Sequence, residues 1–265
     1  MSSIYRAQLS GWRKESSDLG FAFNESPYHD DLIEERPLSL YVNNQPFSVF
    51  MRTPSDTYEV DLDLAAGFLW TEGIIDEIDD LARLAPCMDS PDRIHAQLSS
   101  GIQLPTKSRR SYLSSSCGLC SFEHVDSITS HAPKVNKIQL TPDHISEILS
   151  RFDGVLPLYK QTGGCHGAAL YRPNMTIAYI REDVGRHNAV DKVLGTALRS
   201  GDNVLSEWIL VVSSRAGFEV VQKAVMAGVS AVITLGAASG MAHRYALSKS
   251  LALFSFAKTH QAHRH

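Results

Sequence analysis

The pattern of apolar and polar positions predicts a group of short elements in the first hundred residues. Residues 38–42 and 47–51 alternate apolar with smaller side chains on either side of Asn43-Asn44, which predicts a strand, a turn and a second strand. Residues 62–71 have the apolar spacing of a helix, and residues 94–100 predict a further strand. The first 35 residues are polar and mixed, so they predict a loosely held arm.

The middle of the chain predicts two helices and a hairpin. Thr141 can cap a helix, Pro142 suits its first position, and the apolar residues that follow fall on one face. Residues 168–171 and 176–180 flank a turn-forming Arg-Pro-Asn sequence and predict the hairpin. A second helix is predicted over residues 190–198.

The last sixty residues have the most regular pattern, which is strand, helix, strand, helix, strand. The strands are short apolar runs at 208–212, 231–235 and 251–256, as expected for strands buried on both faces. This order predicts a parallel sheet with right-handed crossovers, and ligands of such sheets bind at the carboxyl ends of the strands. The segments that follow the three strands are residues 213–215, 236–240 and 257–260.

Composition narrows the class of protein. The hydrophobic fraction of 43% and charged fraction of 20% are those of a globular protein, and a net charge of −4 argues against bulk attraction to nucleic acid or anionic membrane. No early apolar segment suits a secretory signal, and no apolar run approaches the length of a membrane span. Four cysteines in 265 residues do not form a disulfide framework, so we expect a cytoplasmic protein.

The segment Ser116-Cys117-Gly118-Leu119-Cys120-Ser121 contains the chain's one C-x-x-C pair. The pair is compatible with a chance pairing of thiols, with disulfide exchange, with a zinc site that adds Cys165 and His166, and with single-thiol nucleophilic or carrier chemistry. Single-thiol chemistry is favoured, because the spacing is poor for zinc and no helix pattern follows the pair. Basic residues just upstream would favour the nucleophilic thiolate; they are Lys107, Arg109 and Arg110.

Three other segments suit either a site or a purely structural role. Residues 162–168 contain paired glycines, which suit close approach to a ligand or tight packing, and Cys165, which we interpret as a small buried hydrophobe. Residues 182–188 suit anion binding before a helix, or capping by Asp183 or Asn188 alone. Arg215 follows a buried strand and could hold an anion, or could pair with Glu182 or Asp183.

Six motifs in this order resemble the formate dehydrogenase accessory sulfurtransferase family (FdhD/NarQ), from about Pro37 to about Lys258. The motifs are Gly67-Phe68-Leu69-Trp70-Thr71-Glu72-Gly73-Ile74-Ile75, Cys117-Gly118-Leu119-Cys120, Thr162-Gly163-Gly164-Cys165-His166-Gly167-Ala168-Ala169, Glu182-Asp183-Val184-Gly185-Arg186-His187-Asn188-Ala189-Val190-Asp191-Lys192, Ser213-Ser214-Arg215-Ala216, and Val221-Gln222-Lys223-Ala224 with Met226-Ala227-Gly228.

The resemblance implies an α/β fold class and a division of the chain. It implies a C-terminal, cytidine-deaminase-like three-layer α/β/α domain over residues 135–265, without the deaminase zinc or another structural metal. A smaller N-terminal α+β region over residues 36–125 would end in the cysteine loop, and residues 1–35 would be the polar arm. It also implies a homodimer.

The resemblance further implies a sulfur carrier required for formate dehydrogenase activity. A cysteine desulfurase would pass persulfide sulfur to Cys117, with Cys120 as an auxiliary thiol. Cys117 would transfer the sulfur to the molybdenum bis-guanine-dinucleotide cofactor before its insertion into formate dehydrogenase. The family's cofactor-binding segment corresponds to Phe256, Ala257, Lys258, Thr259, His260 and Gln261, where Thr259-His260-Gln261 replaces the usual glycine and basic residue. Arg186, Arg215 and Lys258 are candidates to bind the negative charge of the cofactor.

Two other functions remain open at this point. A chaperone could hold the molybdenum cofactor without transferring sulfur, and the segments after the buried strands would serve it unaided. A thiol–disulfide oxidoreductase could use Cys117 and Cys120 together.

Overall fold

A computed structural model describes residues 2–17, 20–102, 104, 132 and 134–265. The strands are β1 (Ile4–Ser17), β2 (Gly20–Ile33), β3 (Arg36–Val42), β4 (Gln45–Arg52), β5 (Leu81–Cys87), β6 (Ser90–Leu98), β7 (His166–Tyr171), β8 (Ile177–Asp183), β9 (Ile209–Val212), β10 (Ala231–Thr234), β11 (Ala252–Lys258) and β12 (Gln261–Arg264). The α-helices are α1 (Glu59–Thr71), α2 (Pro142–Asp153), α3 (Pro157–Thr162), α4 (Arg186–Arg199), α5 (Phe218–Met226) and α6 (Gly240–Lys249).

The larger sheet has six strands in the order β12-β11-β10-β9-β7-β8. β9, β10 and β11 are parallel, as the sequence predicts, and α5 and α6 connect them. β7 and β8 form the predicted antiparallel hairpin, and β7 also pairs antiparallel with β9. β12 was not predicted; it is polar and adds an antiparallel edge to β11.

Helices cover both faces of this sheet. All four residues of β9 are buried, and they alternate between two cores: Leu210 and Val212 join the cluster that includes α4, α5 and α6, while Ile209 and Val211 join the cluster formed with α2. Thr141 caps α2 through a 3.3 Å bond from the His144 backbone N–H to the Thr141 hydroxyl, as predicted. The three-layer α/β/α arrangement and the α/β class are therefore confirmed.

The smaller sheet has four strands in the order β4-β3-β6-β5. The predicted strand, turn and strand are β3 and β4, and Asn43 and Asn44 between them have positive φ of 49° and 61°. Asparagine tolerates this left-handed conformation better than most residues, which explains the turn. β5 has no clear apolar alternation and was missed by sequence reasoning.

The predicted loose arm is instead a long antiparallel hairpin. β1 and β2 pair over their whole length, and Arg6 Nε donates to Asp31 Oδ1 at 2.8 Å. Because the two strands satisfy each other's backbone groups, they need no apolar alternation, which is the signal that sequence reasoning used. The proposed domain boundaries after residues 35 and 125 remain a prediction.

α1 joins the smaller sheet to the larger one. It crosses α4 so closely that a Cβ on Gly67 would lie 1.9 Å from the Asp191 carbonyl oxygen, and a Cβ on Gly195 would lie 1.9 Å from the Asp63 carbonyl oxygen. One apolar core includes residues of β3, β6, α1, α4 and α5. Among the described helices, none has the length and hydropathy that a membrane crossing requires.

Candidate functional site

One edge of the six-stranded sheet brings the predicted site segments together. The carboxyl ends of β8, β9, β10 and β11 lie along this edge, with the amino end of antiparallel β7 between β8 and β9. Residues 182–188, 165–166, 213–217, 235–240 and 256–261 therefore form a continuous row of segments. The structure places the candidates of the C-terminal region as the predicted topology requires.

Backbone hydrogen bonds fix neighbouring segments to one another. The Gly167 N–H donates to the Ser213 hydroxyl at 3.0 Å, and the Ala216 N–H donates to the Ala237 carbonyl at 3.0 Å. The Phe256 N–H donates to the Gly236 carbonyl at 2.9 Å. These bonds hold the row in one arrangement, so a ligand at this edge would meet a preformed surface.

Three helices begin at the same edge and point their free N–H groups toward it. α4 follows Gly185 and α5 follows Gly217, and neither glycine supplies a side-chain cap. α6 is capped by Ser239, whose hydroxyl accepts from the Ala242 N–H at 3.2 Å. A helix start carries a partial positive charge, so the edge attracts anions.

Basic side chains add to this positive potential. Arg215 and Lys258 are exposed, and Arg186 is half-buried in the first turn of α4. Within the described parts of the chain, none of the three lies within 4 Å of a carboxylate oxygen. The alternative that Arg215 pairs with Glu182 or Asp183 is therefore wrong.

Asp183 has a structural role that its motif did not reveal. Its Oδ2 accepts from Lys192 Nζ at 2.5 Å and from the Thr53 N–H at 3.0 Å, and its Oδ1 accepts from the Gly185 N–H at 2.8 Å. Asn188 donates to the same Oδ1 at 2.9 Å. Asp183 is fully buried, so it positions the start of α4 without facing a ligand.

Other polar residues of the motifs also turn inward. Thr71 donates to Asp191 at 2.8 Å, and Lys223 Nζ lies 3.0 Å from Asp191 Oδ2. Burial alone would lower the pKa of Lys223, but the nearby carboxylates of Asp191 and Glu72 outweigh it and raise the pKa. Sequence reasoning missed this buried network; the one available signal was charged residues on otherwise apolar helix faces.

Two histidines lie at the edge with different surroundings. His187 Nε2 is 2.8 Å from Glu219 Oε2, which links the first turns of α4 and α5. Burial lowers the pKa of His166, and the positive charges of Arg186 and His187 act in the same direction. His166 is therefore neutral at neutral pH and lies beside the positive charge of Arg186.

Cys165 is buried, and its thiol is unreactive at neutral pH. Its side chain is 3% exposed, and its thiol lies 3.7 Å from Glu182 Oε1. Burial and then the negative charge of Glu182 raise the pKa of this thiol to about 12. The interpretation of Cys165 as a small buried hydrophobe is confirmed, and its protonated thiol is a poor zinc ligand.

The predicted cofactor-binding segment forms the tip where β11 turns into β12. Ala257 is buried, while the other five side chains are exposed to solvent: Phe256, Lys258, Thr259, His260 and Gln261. Phe256 has a positive φ of 49° and is 44% exposed, so the backbone turns its ring outward. The pairing of β11 with β12 shifts register between Ser255 and Lys258. The bond from the Phe256 N–H to the Gly236 carbonyl joins the tip to the Gly236 loop.

Cys117, Cys120 and the basic residues upstream of them lie outside the described residues. In the parts of the chain that the structure does describe, no group of three or more metal-ligating side chains comes together. The described residues of the edge form a surface suited to anions. The thiol chemistry rests on the Cys117-Gly118-Leu119-Cys120 motif in the sequence.

Comparison with known proteins gives a consistent result. The model of the FdhD/NarQ family matches residues 33–263. A sulfur carrier protein FdhD from Streptomyces avermitilis is 38% identical over 240 residues, covering 86% of this chain and 84% of that protein. The sulfur carrier protein FdhD from Picrophilus torridus is 36% identical over 236 residues, covering 86% of this chain and 87% of its own.

A solved structure has the same fold. The crystal structure of "a putative formate dehydrogenase accessory protein" from Desulfotalea psychrophila superposes with a TM-score of 0.71 at 20% identity, covering 97% of this chain and 96% of that one. The matched range includes both the four-stranded and the six-stranded sheet and the motifs along the site edge. This chain therefore belongs to the FdhD/NarQ family.

Proposed function

We propose that this protein is a sulfurtransferase that supplies formate dehydrogenase with a sulfurated cofactor. Cys117 accepts sulfur from a cysteine desulfurase and delivers it to the molybdenum bis-guanine-dinucleotide cofactor before insertion into the dehydrogenase. The observation that carries the proposal is the family match over residues 33–263, because that range contains both the Cys117-Gly118-Leu119-Cys120 motif and residues 256–261. The curated relatives are sulfur carrier proteins.

The first chemical step is a thiolate exchange that needs no oxidant. The Cys117 thiolate attacks the outer sulfur of the donor's persulfide, a new S–S bond forms, and the donor cysteine leaves as a thiolate. Cys165 is unsuited to this step, since its pKa of about 12 keeps it protonated at neutral pH. The carrier thiol is assigned to the C-x-x-C pair because that pair is one of the motifs that resemble the family.

The cofactor is the substrate of the second step, and the edge of the larger sheet suits its charge. Its pyrophosphates would bind at the starts of α4 and α5, next to Arg186 and Arg215. Guanidinium groups hold phosphates with paired hydrogen bonds, and Lys258 adds a third cation from the exposed tip of β11. Phe256 presents an exposed ring at the same tip.

The length of the chain between the described residues permits Cys117 to reach this edge. The Ala132 carbonyl accepts a hydrogen bond from Lys249 Nζ at the last turn of α6. α6 begins at the edge and is about 15 Å long, since its ten residues rise ~1.5 Å each. The fifteen residues from Ala132 back to Cys117 could span at most about 50 Å.

Activation of formate dehydrogenase in cells that lack their own sulfur carrier tests the proposal. We expect the Cys117→Ala variant to leave the dehydrogenase inactive, and the buried-thiol control Cys165→Ala to activate it like the unchanged protein. Cys120→Ala should have a milder effect. Normal activation by Cys117→Ala would refute the proposal, and equal losses at Cys117 and Cys120 would favour a two-thiol mechanism.

Cofactor binding is tested separately from sulfur transfer. We expect Arg215→Ala and Lys258→Ala to weaken retention of the molybdenum cofactor while leaving Cys117 able to accept sulfur. A protein that retains the cofactor and never accepts sulfur would instead be a chaperone. Reduction of insulin disulfides by the protein would indicate a thiol–disulfide oxidoreductase.

Assembly and location complete the proposal. We propose a homodimer in the cytoplasm, where the desulfurase and the unassembled dehydrogenase are both accessible. Light scattering coupled to size-exclusion chromatography should give twice the mass of 29.2 kDa, and a mass equal to one chain would contradict the dimer.

A further inference from the structure

A cavity lies between the two regions of the chain, beside the site edge. It has a volume of about 340 Å³ and is open to solvent. Ser3 lines it just before β1, the segment between β4 and α1 contributes residues 53–55, and β8 contributes residues 180–182. This volume is within the usual range for small-molecule sites, and such sites often lie where domains meet.

The floor of the cavity contains a buried cation that keeps a free hydrogen-bond donor. The Lys192 side chain is 1% exposed and lines the cavity. Its Nζ donates to Asp183 Oδ2 at 2.5 Å and to the Thr53 carbonyl at 3.2 Å. An ammonium group has three N–H donors, so among the described residues one donor of Lys192 remains for a ligand.

The carboxylate of Glu182 also lines the cavity, and it can accept a further hydrogen bond. The carboxylate of Glu182 accepts from the Leu158 N–H at 3.1 Å and from the Tyr159 N–H at 2.7 Å. The Cys165 thiol, 3.7 Å away, is its third partner. A carboxylate has about four acceptor positions, so Glu182 can take one further bond, for example from an ammonium group.

The remaining wall is apolar, carries small hydroxyls, or belongs to Arg181, whose guanidinium donates to Asp63 Oδ2 at 2.7 Å. Val60, Val155, Pro157 and Ile180 supply aliphatic surface, and Ser55 adds a hydroxyl. The cavity thus combines one available donor on a cation, one available acceptor on an anion and an apolar surface of modest size.

We propose that this cavity binds a free α-amino acid in its zwitterionic form, with a small apolar or thiol side chain. The carboxylate of the ligand accepts from Lys192, its ammonium group donates to Glu182, and its side chain packs against Val60 and Val155. Among the described residues, the lining of the cavity includes none of residues 256–261, and the proposal does not depend on the proposed function.

The test measures binding of L-leucine and L-cysteine to the full chain by thermal unfolding and by calorimetry. With 10 mM ligand and a dissociation constant of ~1 mM, the melting temperature should rise by roughly 3–6 °C and continue to rise with the logarithm of ligand concentration, while the calorimetric signal saturates. Compounds that lack one charge, 4-methylpentanoate and 3-methylbutylamine, should bind at least tenfold more weakly. The proposal would be overturned if either of these compounds bound as tightly as the amino acids. It would also be overturned if neither L-leucine nor L-cysteine gave a response.

Cavity-filling variants locate the site. Val155→Trp should abolish the response, and Val204→Trp should keep it, because Val204 is 74% exposed and does not line the cavity. Ser55→Trp, at the rim, replaces Val155→Trp if that variant fails to fold by circular dichroism. Glu182→Gln should weaken amino-acid binding about tenfold and leave binding of 4-methylpentanoate unchanged. An undiminished response in a folded filling variant would place the ligand elsewhere and refute the assignment.

Discussion

The close crossing of α1 and α4 allows a quantitative prediction of how much a substitution at Gly67 lowers the free energy of unfolding. The glycine has no unusual φ, so its absence of a side chain matters only for space. An added Cβ would meet the Asp191 carbonyl oxygen at 1.9 Å and the Gly195 backbone nitrogen at 2.8 Å. Both neighbours are backbone atoms of α4, which cannot rotate away as a side chain could.

The cost of Gly67→Ala follows from this geometry. Non-bonded atoms need about 3.4 Å, so the two helices would have to separate by about 1.5 Å. Overpacking of this kind costs ~1–3 kcal/mol, while alanine gains ~1 kcal/mol over glycine in a helix. The separation also strains buried bonds that span the crossing, such as Thr196 to Asp63 at 2.9 Å, and each buried group left unpaired costs ~1–3 kcal/mol.

We therefore expect Gly67→Ala to lower the free energy of unfolding by about 2–5 kcal/mol and the melting temperature by roughly 5–15 °C. Urea and thermal denaturation measure both. The matched control is Gly154→Ala, whose added Cβ would lie 3.6 Å from its nearest neighbour at a right-handed helical φ of −74°. Gly154→Ala should be neutral or slightly stabilising. If the two variants are equally stable, the close crossing does not exist as described.

Three further predictions concern buried and charged groups. Asp183→Asn leaves Lys192 without its buried counter-charge and should cost ~3–5 kcal/mol in denaturation experiments, whereas Asp79→Asn on the surface should be neutral; equal stabilities would contradict the pairing. Cys165, with its pKa of about 12, should resist iodoacetamide at pH 8 in the folded protein and react in urea; mass spectrometry would expose rapid labelling of the native thiol as the opposing result. Burial alone would raise the pKa of Glu219, but the His187 imidazole, 2.8 Å away, lowers it below the ordinary 4.5. Glu219 then stabilises the fold above pH 4.5 and loses that effect as the pH falls through its folded pKa, so Glu219→Gln should melt a few degrees lower at pH 6, with a gap that narrows below pH 4.5; a gap independent of pH would refute this role.

The C-terminal sheet could be predicted because its strands carry an unambiguous signal. Continuous apolar runs such as residues 209–212 require burial on both faces, and the intervening helices have regular spacing. From that order alone, the parallel topology places the segments after each strand at one edge. The position of the candidate site was therefore available from the sequence.

The parts that were missed depend on contacts distant in sequence. β1 and β2 satisfy their backbones through each other, and β12 pairs with β11 at a polar edge, so neither leaves an apolar period. The inward orientation of Asp183 could not be inferred either, because its partner Thr53 is 130 residues away. A motif shows that a residue matters without showing whether it faces a ligand or the core.

The most direct test of the account is the mass of the protein after incubation with a cysteine desulfurase and cysteine. The sulfur-carrier proposal predicts a gain of one sulfur atom on the peptide that contains Cys117, removed by dithiothreitol and absent from the Cys117→Ala variant. Peptides containing Cys87 and Cys165 should keep their original masses. An unchanged Cys117 peptide in the presence of a loaded desulfurase would contradict the account.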